Sequence, residues 1–528
     1  MKPFRAAMVA AFVGFVGLGG VGTAGAVQNP APPPAPAPAE DKAPPPASAN
    51  VRMVHQVPNT VGGLSFNFTT VGGRDVMLLS GETGLKSFDV STPDKPVELD
   101  HVTNQELALP GDKPTADNFW ENEDVEIDHK RKLVFMARER NALGVPPGPN
   151  RPTGVYILSF ADPANLKVIS WAPMGTGHTT SCVNDCRYLW TAGSDGGPVP
   201  PDIYQQTGKI FVTDIRDPAH PVTSDVYVDT NRNQGQPHMT HDVQVDAQGV
   251  AWVAGTGGTR GYWTDGLRWD PVQHRLRFAT ATHPVPFAGG ASPKPDMPTA
   301  FSHNSFRPVG STLHDGPIPS RQTPPGSLVL ATEEAFSQTC QDKGRLVISS
   351  LRGSHDGDSW RATPEQPYYM DTVGIWSPHD QDGTGPIPKN ACSAHYFDVK
   401  DRVVVQSYYM QGTRFIDVSD PRNPRQIAYW RPEGAQSFTP KWYKGFAFVA
   451  DWTHGMQILQ LTPGASTAMA AQEEVVLRLS PGQAKPVVAA RDGDRPRVPV
   501  RPVVPDPVWG MACPMAGRPC EPGSLSCC

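Results

Sequence analysis

The sequence predicts an all-β fold, a seven-bladed β-propeller of four-stranded antiparallel blades closed by an amino-terminal strand, and two observations predict it. The first is a motif that recurs as TGLKSFDVSTPDKPVELD from Thr83, TGVYILSFADPANLKVIS from Thr153, TGKIFVTDIRDPAHPVTSD from Thr207 and QGTRFIDVSDPRNPRQIAYW from Gln411. The second lies at the ends: the last unit stops near Pro463 one strand short, while VRMVHQVPN from Val51 resembles PVELDHVTN, the fourth strand of the first unit. A chain that lends its first strand to its last sheet closes a ring, which an open solenoid has no need to do.

Each copy of the motif holds a β-rich run, a Pro-containing turn and a second β-rich run, where Asp caps the turn and Pro fixes φ while withholding an N–H. A further strand pair precedes each copy, as in His241 to Gly255, where HDVQVD and VAWVAG flank Ala247-Gln248-Gly249. Weaker copies near Gly261, Gly344 and Gly455 bring the units to seven. One such sheet has two apolar faces and open edges, and radial packing buries the faces and protects the edges.

The flanks have another composition. Residues 1–26 carry Lys2 and Arg5, an apolar stretch and Ala24-Gly25-Ala26, the pattern of a signal peptide. Residues 27–50 are a Pro/Ala-rich spacer that cannot bury a core, and 464–528 form a Pro/Arg-rich tail, mostly disordered, with Cys513, Cys520, Cys527 and Cys528. The propeller is expected over 51–463. No later apolar run reaches the ~18 residues that a membrane span needs, so the mature chain is expected to be extracytoplasmic, at the cell envelope. A net charge of -6 with interspersed signs offers no basic face and argues against nucleic acid.

The phrases GTRFIDVSDPRNP and GLKSFDVSTPDKP resemble the LVIVD repeat of bacterial propeller proteins, and the resemblance extends over most of residues 51 to 463. It implies the fold and leaves the function open, since propellers host enzymes, binders and scaffolds alike. The leading expectation is a secreted binding or scaffold module whose partner is a small ligand at the channel mouth or an envelope or extracellular protein.

Aligning the innermost strands on their turns places Glu123, His178, His241, His303 and His395 at one position of blades two to six, with Phe66 and Phe438 in blades one and seven. Innermost strands line the channel, so these side chains are expected to converge near one mouth. Four imidazoles and a carboxylate suit iron, copper, nickel or zinc. A histidine ring supplied by separate blades is similar in architecture to carotenoid oxygenases and selenium-binding methanethiol oxidases, and it carries the alternative reading, a metal-dependent enzyme of the oxidoreductase kind. In the plainer reading the imidazoles bond neighbouring blades and keep the channel polar.

Connections between second and third strands are expected at the same mouth, carrying Glu82, Arg138, Arg140, Asp195, Arg260, Glu333, Glu334, Asp451 and His454 mostly as solvated loop charges. Adjacent residues of a strand face opposite ways, so Glu333 and Glu334 make a poor glycosidase pair. No HExxH, phosphate loop or G-x-S-x-G elbow is present. Cys182 and Cys186 bracket a tight hairpin and are expected to form a disulfide. Cys340 and Cys392 could bridge blades five and six, or Cys392 could join His395 as a metal ligand.

Overall fold

Alternation along each strand decides this architecture, because successive side chains leave a strand on opposite faces and every blade here has an apolar set on both. In the second strand of blade two, Leu133–Arg138, Phe135 packs with Val155 and Leu189 towards blade three. Its neighbours Val134 and Met136 pack with Val76, Leu78 and Tyr156 towards blade one. The same division repeats around the ring, giving a separate apolar core in each of the seven gaps between blades.

The computed structural model describes residues 47–462 apart from 120–121, 141, 145–151, 194–208, 230–239, 256–257, 271–272, 292–301, 309–326, 336–343, 352–369 and 379–391. The signal peptide, the tail with its four cysteines, Asp195 and Cys340 lie outside the described residues. Contacts divide the chain into Met1–Ala470 and Ala471–Cys528, and the propeller belongs to the first unit.

Seven antiparallel blades follow one another, the first six with their strands in sequence order from the axis outwards. Blade seven is built from Ser437–Tyr443, Phe446–Asp451 and Gly455–Leu461, and its fourth strand is Val51–Gln56, paired antiparallel with Val51 opposite Leu461 and Gln56 opposite Gln457. The borrowed strand is anchored on both faces: Val51 enters the core with Leu459 and Val449, and Val54 and Val57 enter the next one with Phe66 and Ile458. Ala47 adds a bridge to Trp430 of blade six.

The repeated Asp acts as expected. Asp89, Asp214 and Asp417 accept from the backbone N–H of Ser91, Arg216 and Ser419 at 2.9, 3.0 and 2.8 Å, closing the turn between third and fourth strands. Blade two uses Ser159 instead, accepting from the Ala161 N–H at 3.2 Å.

Blades three and four depart from the pattern. In blade three the outer strand is split into Val222–Thr223 and Val228–Asp229, both paired with Lys209–Asp214. In blade four the weak repeat near Gly261 supplies only its first run, Thr259–Trp263, to the blade; Gly266–Asp270 and Arg275–Ala279 form an added hairpin, and the outer strand is Val285–Ala291. Leu267, Trp269, Leu276 and Phe278 share one face of that hairpin and are exposed, Phe278 by 73%.

Several expected loop charges are not solvated. Arg138 is fully buried against Asp112, and Glu333 holds buried Arg345 through contacts of 2.6 and 2.9 Å. Buried Asp246 accepts from Arg307 Nε at 2.7 Å and from the Trp252 indole at 2.8 Å. Paired in this way, buried charges avoid the large cost of a bare ion.

Closure of the ring can be tested at the borrowed strand. Deleting residues 51–56 is expected to abolish the single sharp thermal transition of the full chain, followed by circular dichroism. Leu459→Ala leaves the strand in place and is expected to cost about 2–5 kcal/mol in denaturant melts, the usual range for a buried leucine.

Candidate metal centre in the channel

Converging inner strands bring the five predicted side chains together. His241 lies in Thr240–Val245 and His303 in Ser302–Phe306, whereas His178 immediately precedes Thr179–Val183. Glu123 and His395 sit a few residues before Glu126–Asp128 and Phe397–Lys400. All five are buried, His303 and His395 completely.

Glu123 is the hub. Its Oε2 lies 3.2 Å from His178 Nε2, 3.6 Å from His241 Nε2 and 3.2 Å from His303 Nε2, and its Oε1 lies 3.4 Å from His395 Nε2. His178 Nε2 and His241 Nε2 are themselves only 2.8 Å apart.

The opposite ring nitrogens are tied down. His178 Nδ1 lies 2.7 Å from Glu139 Oε1, His241 Nδ1 lies 2.9 Å from the His303 carbonyl, and His395 Nδ1 lies 2.6 Å from the Phe438 carbonyl. Carbonyls accept only, as does an ionised carboxylate, so each Nδ1 is the donor and each neutral imidazole presents an Nε2 lone pair inwards. Two lone pairs at 2.8 Å repel each other. Without an ion, one ring of that pair must be imidazolium; with one, both are ligands. His303 differs from the other three, since neither of its ring nitrogens makes a hydrogen bond, and Glu123 Oε2 makes none either.

The possible ligand atoms form three overlapping triads: Glu123–His178–His241, Glu123–His303–His395 and His241–His303–Glu334. Donors about 2.1 Å from one ion stand roughly 3.0–3.4 Å apart, close to the separations around Glu123. This buried group could therefore hold a metal.

Charge in the cluster is strongly coupled. Burial opposes ionisation of Glu123, but His178 and His395 outweigh it and hold the carboxyl well below its usual range. Burial likewise opposes a charge on His178, and Glu123 and Glu139 outweigh it, raising that imidazole well above its usual value. His241 is driven well below by burial and by His303, and His303 is pushed down to about 3 by burial and His395. Further along the channel, burial raises Asp124 and Asp242, which share Gln244 Nε2 at 3.0 and 3.2 Å, and Tyr396 Oη lies 3.4 Å from Asp242.

Two solved structures are among those to which this chain is similar. The periplasmic gluconolactonase PpgL of Pseudomonas aeruginosa is 14% identical over 77% of this chain and 92% of its own, with a TM-score of 0.45. A catalytically inactive virginiamycin B lyase of Staphylococcus aureus, solved with quinupristin, is 9% identical over 78% and 99%, with a TM-score of 0.41. No family model matches the chain, and no curated protein matches it. Identities this low say nothing about the residues of the site.

Three neighbours of the cluster were not assigned to it from sequence. Glu139 orients His178 from between Arg138 and Arg140. Glu334, placed among the loop charges, reaches His241 and His303, accepts from Tyr409 Oη at 2.5 Å, and is raised to about 7 by burial and by Glu123. Tyr409 packs its ring 4.9 Å from His395. Phe438 stays at the site, with its ring 4.8 Å from His395, but Phe66 turns away into the core between blades seven and one. Glu333 and Glu334 do separate, as alternation requires. Asp451 and His454 bond each other at 2.9 Å within their own turn.

Cys182 and Cys186 form the expected disulfide. Cys392 is disulfide-bonded as well, which removes it as a ligand beside His395; its expected partner Cys340 lies outside the described residues.

Acids of the channel give a pH test. Glu126 accepts from the Ile127 and Cys182 N–H groups at 2.9 and 3.2 Å, yet burial and then Asp124 push it from 4.5 up to about 7. A carboxyl raised on folding contributes stability below its unfolded value that is lost as pH rises through the folded one. Chelator-treated protein is expected to lose melting temperature between pH 4.5 and 7, and Glu126→Gln to flatten that slope.

Proposed function

We propose that this chain is an exported propeller of the LVIVD type that holds a transition metal ion in its channel and binds a small ligand at the mouth above it. One observation carries the reading: four imidazole Nε2 atoms from four blades lie 3.2–3.6 Å from a single buried carboxylate, three of them with Nδ1 tied to an acceptor. Such outer partners fix the tautomer and raise ligand basicity at histidine metal sites. His178, His241, His303 and His395 would be the ligands and Glu123 the anionic one, a nitrogen-rich set suited to iron, copper, nickel or zinc. A bound ion would act as a Lewis acid or redox centre. The chain's own residues would orient the imidazoles, seclude the site, and hold a proton near neutrality at Glu334, opposite the Tyr409 hydroxyl.

Location outside the cytoplasm is supported by the amino-terminal segment, by the disulfides, and by the lack, among described residues, of a helix long and apolar enough to cross a membrane. Glu334 gives one reason to keep a second reading, an oxidoreductase using this centre, because it is the partly exposed member of the triads, whose other members are buried.

Protein purified from its native compartment and analysed for metals is expected to carry one or two ions per chain, with His303→Ala and Glu123→Gln removing at least about half, as expected when a ligand is lost. A metal-free wild-type protein that takes up no iron, copper, nickel or zinc in equilibrium dialysis would sink the proposal and leave the envelope scaffold.

A further inference from the structure

Burying a guanidinium without a carboxylate is costly, because neutral amides only partly replace its lost hydration. Four arginines are fully buried among the described residues: Arg138, Arg307, Arg345 and Arg414. Three have a carboxylate partner, namely Asp112, Asp246 and Glu333. Arg414 has none.

Arg414 belongs to the third strand of blade six, Thr413–Asp417. Its Nε donates to the Gln411 carbonyl at 3.0 Å, Nη2 to Gln411 Oε1 at 2.8 Å and Nη1 to Gln426 Oε1 at 3.1 Å, and its guanidinium lies 5.3 Å from the Tyr429 ring centre. A second cation adds to the imbalance: half-buried Arg431 places Nη1 3.4 Å from the same Gln411 Oε1. Two positive charges thus converge on one neutral oxygen.

Unused polar groups surround them. Gln411 is fully buried and its Nε2 has no acceptor. Gln406, also fully buried, stands directly opposite Arg414 in the strand ladder, and neither its amide nitrogen nor its oxygen has a partner. Cross-strand neighbours stand only about 5 Å apart at Cβ, so both unsatisfied amides adjoin the guanidinium. A guanidinium has five N–H donors, and the three bonds of Arg414 leave two.

We infer that Arg414, Arg431, Gln411 and Gln406 form an oxyanion site on blade six. Its ligand is a carboxylate or phosphate group, which brings the missing negative charge and the paired oxygens that an arginine fork takes most strongly. Arg431 is the way in, being the partly exposed member. The site is separate from the histidine centre but linked to it by one turn. Tyr409, between Tyr408 and Gln411, adopts a left-handed φ of 42° and reaches Glu334 and His395, whereas Gln411 on the same turn faces the arginines.

The test uses the whole mature chain in chloride buffer, titrated with inorganic phosphate and separately with succinate at constant ionic strength, and read by thermal melting and calorimetry. At least one probe is expected to raise the melting temperature saturably and to bind once per chain; which one responds separates a phosphate ligand from a carboxylate. Arg431→Gln, a half-buried change that leaves the fold intact, is expected to weaken binding about tenfold or more, the loss of one charged hydrogen bond. Gln406→Leu is expected to weaken it too. No saturable response to either probe, or undiminished affinity in Arg431→Gln, would overturn the assignment.

Discussion

Burial of both faces of every blade is the constraint on which the rest of this molecule depends. A single sheet with apolar residues on alternate faces has no stable form in water, and radial stacking around an axis is one of the few arrangements that covers both faces at once. The seven gaps between blades each hold their own core, so the ring is a closed series of equivalent contacts. Closure then falls on Val51–Gln56, whose two faces serve two different gaps. Without that strand the last core would face water and Gly455–Leu461 would be an open edge.

Closure has a geometric consequence at the axis. Inner strands of neighbouring blades approach each other there, so a residue type repeated at one position of the repeat meets its own copies. Apolar cores farther out carry the stability, which leaves the axis free to hold groups that would destabilise a smaller fold. Four imidazoles share the channel with Glu123, and a second layer of raised carboxyls, Asp124 and Asp242, lies along it. In such surroundings hydrogen bonds to acceptor-only partners set which nitrogen faces inwards for three of the four imidazoles. The resulting array of ring nitrogens around one carboxylate is a group that could hold a metal.

The alternation that builds the cores also sorts the charges. Glu333 turns to Arg345 and adjacent Glu334 turns to the axis, so two neighbouring carboxylates end in unrelated environments. Arg138 turns into a core with Asp112, while the next residue, Glu139, reaches His178. Three of the four fully buried arginines among the described residues are thus matched by carboxylates, and the fourth, on blade six, is the exception.

Strand pattern, turn chemistry and ring closure were legible in the sequence because they are local or repeated: alternation needs only neighbours two apart, Asp and Pro act within their own turn, and Val51 to Asn59 resembles another strand of the same chain. The positions of Glu123, His178, His241, His303 and His395 were legible for the same reason, as equivalent points of a repeat. Blade four is not legible where a hairpin interrupts the repeat, since GLRWD and RLRFA alternate like any other strand pair and nothing local says that they leave the blade. What only the tertiary structure decided is how the side chains are paired. Glu139, the His303 carbonyl and the Phe438 carbonyl lie 39, 62 and 43 residues from the imidazoles they orient, and Arg414 lacks a carboxylate only by comparison with what surrounds it in space. Pattern along a chain determines which face a residue takes, but the partner it meets there comes from another blade and is set by how the ring closes.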